Sequence, residues 1–529
     1  MAQDAQKCEP GLATTRNVEN VSLDRRDLLC LGSLLLVGFC LVVLRYDSLP
    51  LQLYDESRSA NNALEMVRSG HWLVPTYGGV PDHWSHPLLP IWLMSILMRF
   101  GLPPLLAVRL PTMLSTLATI AVVWGVCRYA LRDRVSATIA SFLLLSSLFY
   151  TRIHIARTGD NDGPLSFLIL GYVLAFWKSI ERPGTVRMSW FAVSAAGLVL
   201  AVMTKAVAGT FALAGLFVFA LISGRLVILL SNVRVWLLAL LVLSICLAYY
   251  VLREQYDPGY LQAVWRDLAG RVLAANEGHA GGPLYYILRL GAYFEPAVIL
   301  LPLVALTVFG KDKQRCSFAV LCLSCAASIL VVITIAETKL PWYVAPALPF
   351  LAIAAALGAS DGLRWVEARE LQLPVLLRAR PLKIALGVLL TLTSTVTLYR
   401  NQVADLRTAR QASNGQLWYG ALFEELQARG YVTRLVVLDS GFETLVAGLG
   451  VLVNYNPLLK FYADLARAHG LVVSVAELGT PIAAGKLVAT CDPTLVPLLA
   501  QEEGFMVGGS PHSCVFGVTV RSLEVPALR

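Results

Sequence analysis

Eleven apolar runs divide the chain, at about 28–44, 107–127, 135–151, 163–180, 189–203, 207–222, 235–252, 286–309, 316–336, 343–359 and 383–399. A helix needs about 20 largely apolar residues to cross the roughly 30 Å hydrocarbon layer of a bilayer. Most of these runs approach that length and predict membrane-crossing helices. A further run, Leu88 to Met98 (LLPIWLMSILM), is too short to cross and is expected to be interfacial or re-entrant. The pattern fits about 11–13 crossings. Past residue 400 it changes: helix-like GALFEELQARG precedes RLVVLDS, and LVVSVAEL, KLVATC and SCVFGVTV follow. That alternation predicts a small α/β domain. The expected fold is an α-helical polytopic membrane protein with a C-terminal soluble α/β domain, organised as an N-terminal tail (1–27), a transmembrane part (28–400) and the α/β domain (401–529).

A polar stretch, LYDESRSANNALEMVRSG, stands about ten residues after the first apolar run. Ala60, Ala63, Leu64 and Val67 recur at helical spacing, and Arg58, Asn61, Asn62, Glu65 and Arg68 form the opposite stripe. This predicts a short amphipathic helix, closed by Gly70, lying on the membrane surface. Asp55 would cap its N-terminus and Glu56 would complement the helix dipole. The same place suits a carboxylate presented to a cleft.

Composition excludes a soluble protein: 57% of residues are hydrophobic and 15% charged, against about a quarter charged in soluble domains. The formal charge of +8 is accounted for by basic loops and implies no nucleic-acid partner. Arg128, Arg132 and Arg134, Lys178, Arg182 and Arg187, Arg225 and Arg234, Lys311, Lys313 and Arg315, and Arg364 to Lys383 fall on one side of the alternation of runs. The positive-inside rule makes that side, with the N-terminus, cytosolic. Residues 45–87, 152–162, 253–284 and 337–343, together with the C-terminal domain and all seven His, then lie outside. Cys491 and Cys514 can pair if that domain faces an oxidising compartment.

Three outer stretches carry candidate chemistry. GGVPDHWSHPLLPIW offers Asp82, His83 and His86 as ligands for a divalent metal, or as hydrogen-bonding members of an interfacial loop. RIHIARTGDNDGPLSF brings Arg152, His154, Arg157, Asp160 and Asp162 into one tight loop. Lys205 and Lys339 each stand at the end of a run on the side the charge bias leaves poor in cations, where an ammonium suits a phosphate.

Taken in order, YDESR, HPLLPIW, RTGDNDGPLSF, MTKAVAG and ETKLPWYVAPALPF resemble the polyprenyl-phosphate-dependent glycosyltransferases of the C-type fold. The nearest branch is the protein-O-mannosyltransferase-like group that includes bacterial aminoarabinose transferases of lipid A. The resemblance covers about residues 28–360. It implies an enzyme of the bacterial cytoplasmic membrane that moves a sugar from a polyprenyl-phosphate donor to a hydroxyl of a lipid, glycan or protein acceptor. Carried onto this chain, Asp55 is the first-loop catalytic acid, with Glu56 and Arg58 completing its motif. Asp162 matches the second-loop acid, Asp160 being the alternative. Lys205 and Lys339 match basic residues near the lipid phosphate, Tyr343 a tyrosine near the cavity and His279 a large-loop histidine, and His86 and Arg157 join the substrate-binding set. One departure stands out. The aminoarabinose branch has a Glu-Lys pair where this chain has Ser85 and His86, which removes a carboxylate able to help hold a metal and counts against that sugar. The rival reading is a transporter or flippase of lipid-linked sugars, which would place ionisable groups at mid-membrane and show repeat symmetry.

Overall fold

The computed structural model describes residues 24–523, apart from 53–54, 83–84, 148, 153, 275–278, 370–373, 376–377, 401–402, 404–414, 432–433, 441, 446–451, 477–478, 480 and 509–512. Its helices are α1 (Arg25–Val42), α2 (Asp55–Ser69), α3 (Leu89–Arg99), α4 (Pro104–Gly125), α5 (Arg134–Ser146), α6 (Asp162–Ser179), α7 (Met188–Lys205), α8 (Leu213–Ile222), α9 (Leu226–Leu230), α10 (Val233–Tyr256), α11 (Tyr260–Leu273), α12 (Tyr285–Tyr293), α13 (Glu295–Leu300), α14 (Val304–Val308), α15 (Lys313–Ile335), α16 (Leu348–Ala368) and α17 (Ala379–Tyr399), followed by α18 (Tyr419–Ala428), α19 (Pro457–Ala468) and α20 (Val496–Leu499). The starts are set locally. Asp24, Asp133, Asn232, Asp312 and Asn456 each cap a helix by accepting backbone N–H bonds through the side chain, as short polar residues do at that position.

Each of the eleven apolar runs forms helix. Among the described residues seven helical segments are long and apolar enough to cross a membrane, or eight if a bent pair counts as one span. That is fewer than the 11–13 crossings expected, for identifiable reasons. Arg134–Ser146 and Leu213–Ile222 have only 13 and 10 residues. Asp162–Ser179 carries a charge near each end. The run at 286–309 breaks by 101° between Tyr285–Ala292 and Pro296–Val308, where a proline removes a backbone donor.

The chain divides into two compact units. The first comprises residues 1–44, 84–90 and 109–402; the second comprises 45–83, 91–108 and 403–529. One division falls at 402–403, and residues 45–83 and 91–108 fold with the C-terminal part.

In the first unit α16 is central: 94% of the apolar window of 341–368 is buried inside protein, against 6% for 233–256. The alanine-rich sequence LPFLAIAAALGAS permits this, because small side chains let backbones approach closely. A Cβ at Gly358 would collide with the backbone of Leu303 and Val304.

The second unit is built on a five-stranded mixed sheet of β3 (Arg434–Leu438), β6 (Val472–Ala476), β7 (Leu487–Thr490), β8 (Phe505–Gly508) and β9 (Cys514–Val518), in the order β6-β3-β7-β9-β8. β3 runs parallel to β6 and β7, and β9 is antiparallel to both β7 and β8. Two hairpins accompany it, β1 (Thr76–Tyr77) with β2 (Val80–Pro81), and β4 (Phe442–Leu445) with β5 (Leu452–Tyr455). Leu438, Val488, Leu495, Leu499 and Val515 form the core on the sheet, and Cys491 is disulfide-bonded to Cys514.

Candidate active site

In the first unit the expected charges converge on one tyrosine. Asp162 opens α6 and Lys205 closes α7. The Lys205 ammonium donates to both Asp162 carboxylate oxygens at 2.8 Å and lies 5.1 Å from the centre of the Tyr343 ring. On the phenol side, Arg271 Nη1 donates to Tyr343 Oη at 2.5 Å. Arg271 Nε bonds Asp267 Oδ1 at 2.8 Å, and Ser85 Oγ donates to Asp267 Oδ2 at 3.0 Å. Two cations thus flank one aromatic ring, each held by a carboxylate. Arg271 and Asp267 were not picked out by sequence reasoning. Their i, i+4 spacing on a helix within the polar stretch 253–284 was the available signal. Ser85, where the aminoarabinose branch has a carboxylate, here reaches the carboxylate of Asp267.

The 152–162 loop is built around Asp160. His154 Nδ1 lies 3.5 Å from Asp160 Oδ2, the Thr158 hydroxyl donates to the same oxygen, and Thr112 Oγ1 donates to the Asp160 carbonyl at 3.0 Å. His154 adopts φ of 70°, in the left-handed region where a non-glycine residue is uncommon. That conformation stacks its ring on Trp342 at 3.7 Å. Ala206, directly after Lys205, also has positive φ, at 48°. Strained backbone on both sides of the cluster is what functional sites tend to hold. Gly163 is required here because a Cβ would meet the Ile155 carbonyl oxygen.

The two carboxylates are tuned apart. Burial pushes the Asp162 carboxyl above its ordinary range, against the pull of Lys205. Burial acts on Asp160 too, but His154 and the Thr158 hydroxyl outweigh it and hold that carboxyl low. Separated values suit distinct roles.

The remaining first-unit candidates are less alike. Arg157 is buried at 2% exposure. Lys339, expected near a phosphate, donates from its ammonium to the carbonyls of Thr334 (2.9 Å) and Ala336 and so caps the end of α15. His279 contributes its carbonyl to the backbone N–H of Lys339 at 2.8 Å. His86 is half-buried.

In the second unit Asp55 is the exposed first residue of α2. Glu56 is buried and accepts from the Gln52 backbone at 2.8 Å. Arg58 holds Asp82 through Nε at 2.8 Å and through Nη2, and Asn62 donates to Asp82 Oδ2 at 3.0 Å. The polar stripe of α2, expected at a membrane surface, is instead turned inward: Asn61, Asn62 and Glu65 are buried. At Asp82 a metal fits poorly. A cation at Asp82 would have to displace a guanidinium already paired with both carboxylate oxygens, and His83 lies outside the described residues.

The family profile described as dolichyl-phosphate-mannose-protein mannosyltransferase matches residues 85–251. An undecaprenyl phosphate-alpha-4-amino-4-deoxy-L-arabinose arabinosyl transferase of Pseudomonas savastanoi pv. phaseolicola is 24% identical over 72% of this chain and 70% of its own. An uncharacterised protein of Aquifex aeolicus is 27% identical over 56% of this chain, which spans 58% of that protein. The structure of ArnT from Cupriavidus metallidurans bound to undecaprenyl phosphate superposes with a TM-score of 0.64 at 19% identity, covering 94% of this chain and 99% of that one. The chain has the C-type glycosyltransferase fold. The resemblance read from the five motifs is borne out, and with its apolar helices and bacterial relatives this C-type chain is a multi-pass protein of a bacterial inner membrane.

Proposed function

We propose that this protein is a membrane glycosyltransferase that moves a sugar from a polyprenyl-phosphate donor to an acceptor hydroxyl at the outer face of the membrane. One observation carries the reading: Lys205 and Arg271 converge on Tyr343, and the helix that Lys205 closes lines an apolar cavity. That cavity, about 540 Å³, is lined by α6, α7, α8 and α10. Its wall on α7 runs from Phe191 to Val202, one turn short of Lys205. An anionic headgroup with a long apolar tail matches cations placed at the head of such a slot.

The chemistry follows from the residue types. The acceptor hydroxyl oxygen attacks the sugar's anomeric carbon and gives its proton to the Asp55 carboxylate. The bond from that carbon to the phosphate oxygen breaks, and its electron pair leaves with the lipid phosphate. Lys205 and Arg271 neutralise the charge that develops there. Asp162 holds Lys205 in place, and Arg58, held by Asp82, rigidifies the turn that presents Asp55.

A transporter would hold its ionisable groups at mid-bilayer. Asp162 and Lys205 instead stand at the first and last residues of their helices. The N-terminus is assigned to the cytosol and the C-terminal domain to the outside. The loop charge bias supports this, and so does the Cys491–Cys514 disulfide, since such bonds persist in oxidising compartments.

Mass spectrometry of envelope lipids and glycans tests the reading whichever sugar is transferred. A deletion strain should lose one sugar mass from one component, and the intact gene should restore it. Asp55→Asn, present in the membrane at equal level, should not. Restoration by Asp55→Asn would overturn Asp55 as the base.

A further inference from the structure

We infer that the C-terminal α/β domain positions the Asp55 helix, through a clamp centred on Lys460. The inference rests on the reading of Asp55 as the base and gives the C-terminal domain a role.

The clamp lies wholly within the second unit. Lys460, on α19, bonds Glu65 of α2 at 2.6 Å and Asp464 at 2.7 Å. Asp464 pairs with Arg68 of α2 at 3.2 Å, and Arg68 also donates to the Asp464 carbonyl at 2.8 Å. Asn61 donates to the Pro457 carbonyl, and Leu51 N donates to Tyr462 Oη at 3.3 Å. Glu65 further accepts from Thr76 Oγ1 (2.7 Å) and from the backbone of Gly78 (2.6 Å) and Gly79 (3.3 Å). One carboxylate therefore gathers α2, the β1–β2 turn and α19.

The polar stripe of α2 is otherwise hard to account for. A helix on a membrane surface turns its polar stripe to water, yet Asn61 and Glu65 are buried and bond to a helix that begins more than 300 residues later. The adjoining cavity, about 390 Å³ and lined by Tyr77, Asn456, Lys460, Asp464 and Arg467 among others, is bordered by charges that already serve one another. This favours a clamp over a ligand site. Asp55 is the first residue of the clamped helix. At 1.5 Å rise per residue it stands about 15 Å along the axis from Glu65, so a small tilt released at Glu65 displaces the carboxylate by an amount that matters to transfer. Lys460 is thus a positioning residue that acts through α2.

The test uses the full-length protein in lipid nanodiscs and in the complemented deletion strain. Lys460→Ala should raise amide exchange across residues 55–69 at least tenfold while leaving 313–335 unchanged. It should also lower the restored envelope product at least tenfold at equal membrane level. Lys460→Arg should recover both readouts. If Lys460→Ala fails to accumulate, Glu65→Gln weakens the same contact while keeping the shape. Unchanged exchange at 55–69, or product within twofold of wild type, in whichever of these two variants accumulates would overturn the clamp. A loss of product that Lys460→Arg does not recover would do so too. Asp55→Asn separates the two ideas: if it keeps the product, the reading of the base fails, and the exchange data still decide whether the clamp exists.

Discussion

Asp133 and Asp162 are both buried, both start an apolar helix and both face a cation, yet their acidities move in opposite directions. Asp133 caps α5 by accepting from the backbone of Val135 and Ser136. It also takes Arg315 Nη1 at 2.5 Å and the hydroxyls of Ser136 and Ser360 at 2.5 and 2.8 Å. Burial would raise its carboxyl, but these donors hold it at about 2. For Asp162 burial prevails over Lys205, and the neighbouring Asp160 adds to the rise. Asp133 also has a second guanidinium, Arg364 Nη2, at 3.3 Å, whereas Asp162 is bonded to the Lys205 ammonium. What differs is whether donors saturate the carboxylate: a saturated one is a fastening, and an under-compensated one marks a site where another charge is to be received.

Substitutions can break this contrast. The largest effects on activity should come from the Asp162 side. Asp162→Asn or Lys205→Ala should lower envelope product about 10²–10³-fold, as removal of one transition-state donor does, with the protein still present in the membrane. An active Lys205→Ala protein would dissolve the distinction. On the other side, Arg315→Ala leaves Asp133 buried without its main cation and should destabilise the protein by about 3–5 kcal/mol. Activity per folded molecule should be unchanged, as thermal melts paired with product assays would reveal.

The pH dependences should also oppose each other. Asp133 is depressed in the folded state, so its stabilisation is present above its ordinary value of 3.8 and is lost as pH falls from there toward about 2. Asp162 is raised, so the folded state binds its proton more tightly and its contribution to stability falls as pH climbs through the window above 3.8. Product formation should carry an acidic limb from Asp162, which Asp162→Asn abolishes. A limb that survives that substitution would assign it elsewhere. The smallest effect is expected at Arg467, 57% exposed and 3.5 Å from Asp464. Arg467→Ala should change stability by no more than about 1 kcal/mol, and a larger loss would show that the clamp extends to it.

Much of this was legible in the chain. Apolar length located each membrane helix, because a span must satisfy its backbone internally. The motif order picked out Asp162, Lys205 and Tyr343, which the structure brings together. Local patterning also gave α2 its correct extent and both of its faces. What the polar face meets was hidden, since Glu65–Lys460 and Arg68–Asp464 are pairings across nearly the whole length of the chain, and periodicity carries no information at that range. Arg271 was hidden for a related reason: its partner Tyr343 is 72 residues away. Lys339 is the converse case, a cation whose location suggested phosphate and whose ammonium bonds the carbonyls at the end of α15.

The separation of 396 residues between Arg68 and its partner Asp464 has a consequence for biogenesis. At about 5–20 residues per second of synthesis, the loop that carries α2 must wait roughly 20–80 s for the segment that completes it. Throughout that interval the nascent loop carries its acidic and basic groups without their final counterparts. The ribosome must deliver Pro457–Ala468 before the helix that starts at Asp55 can settle.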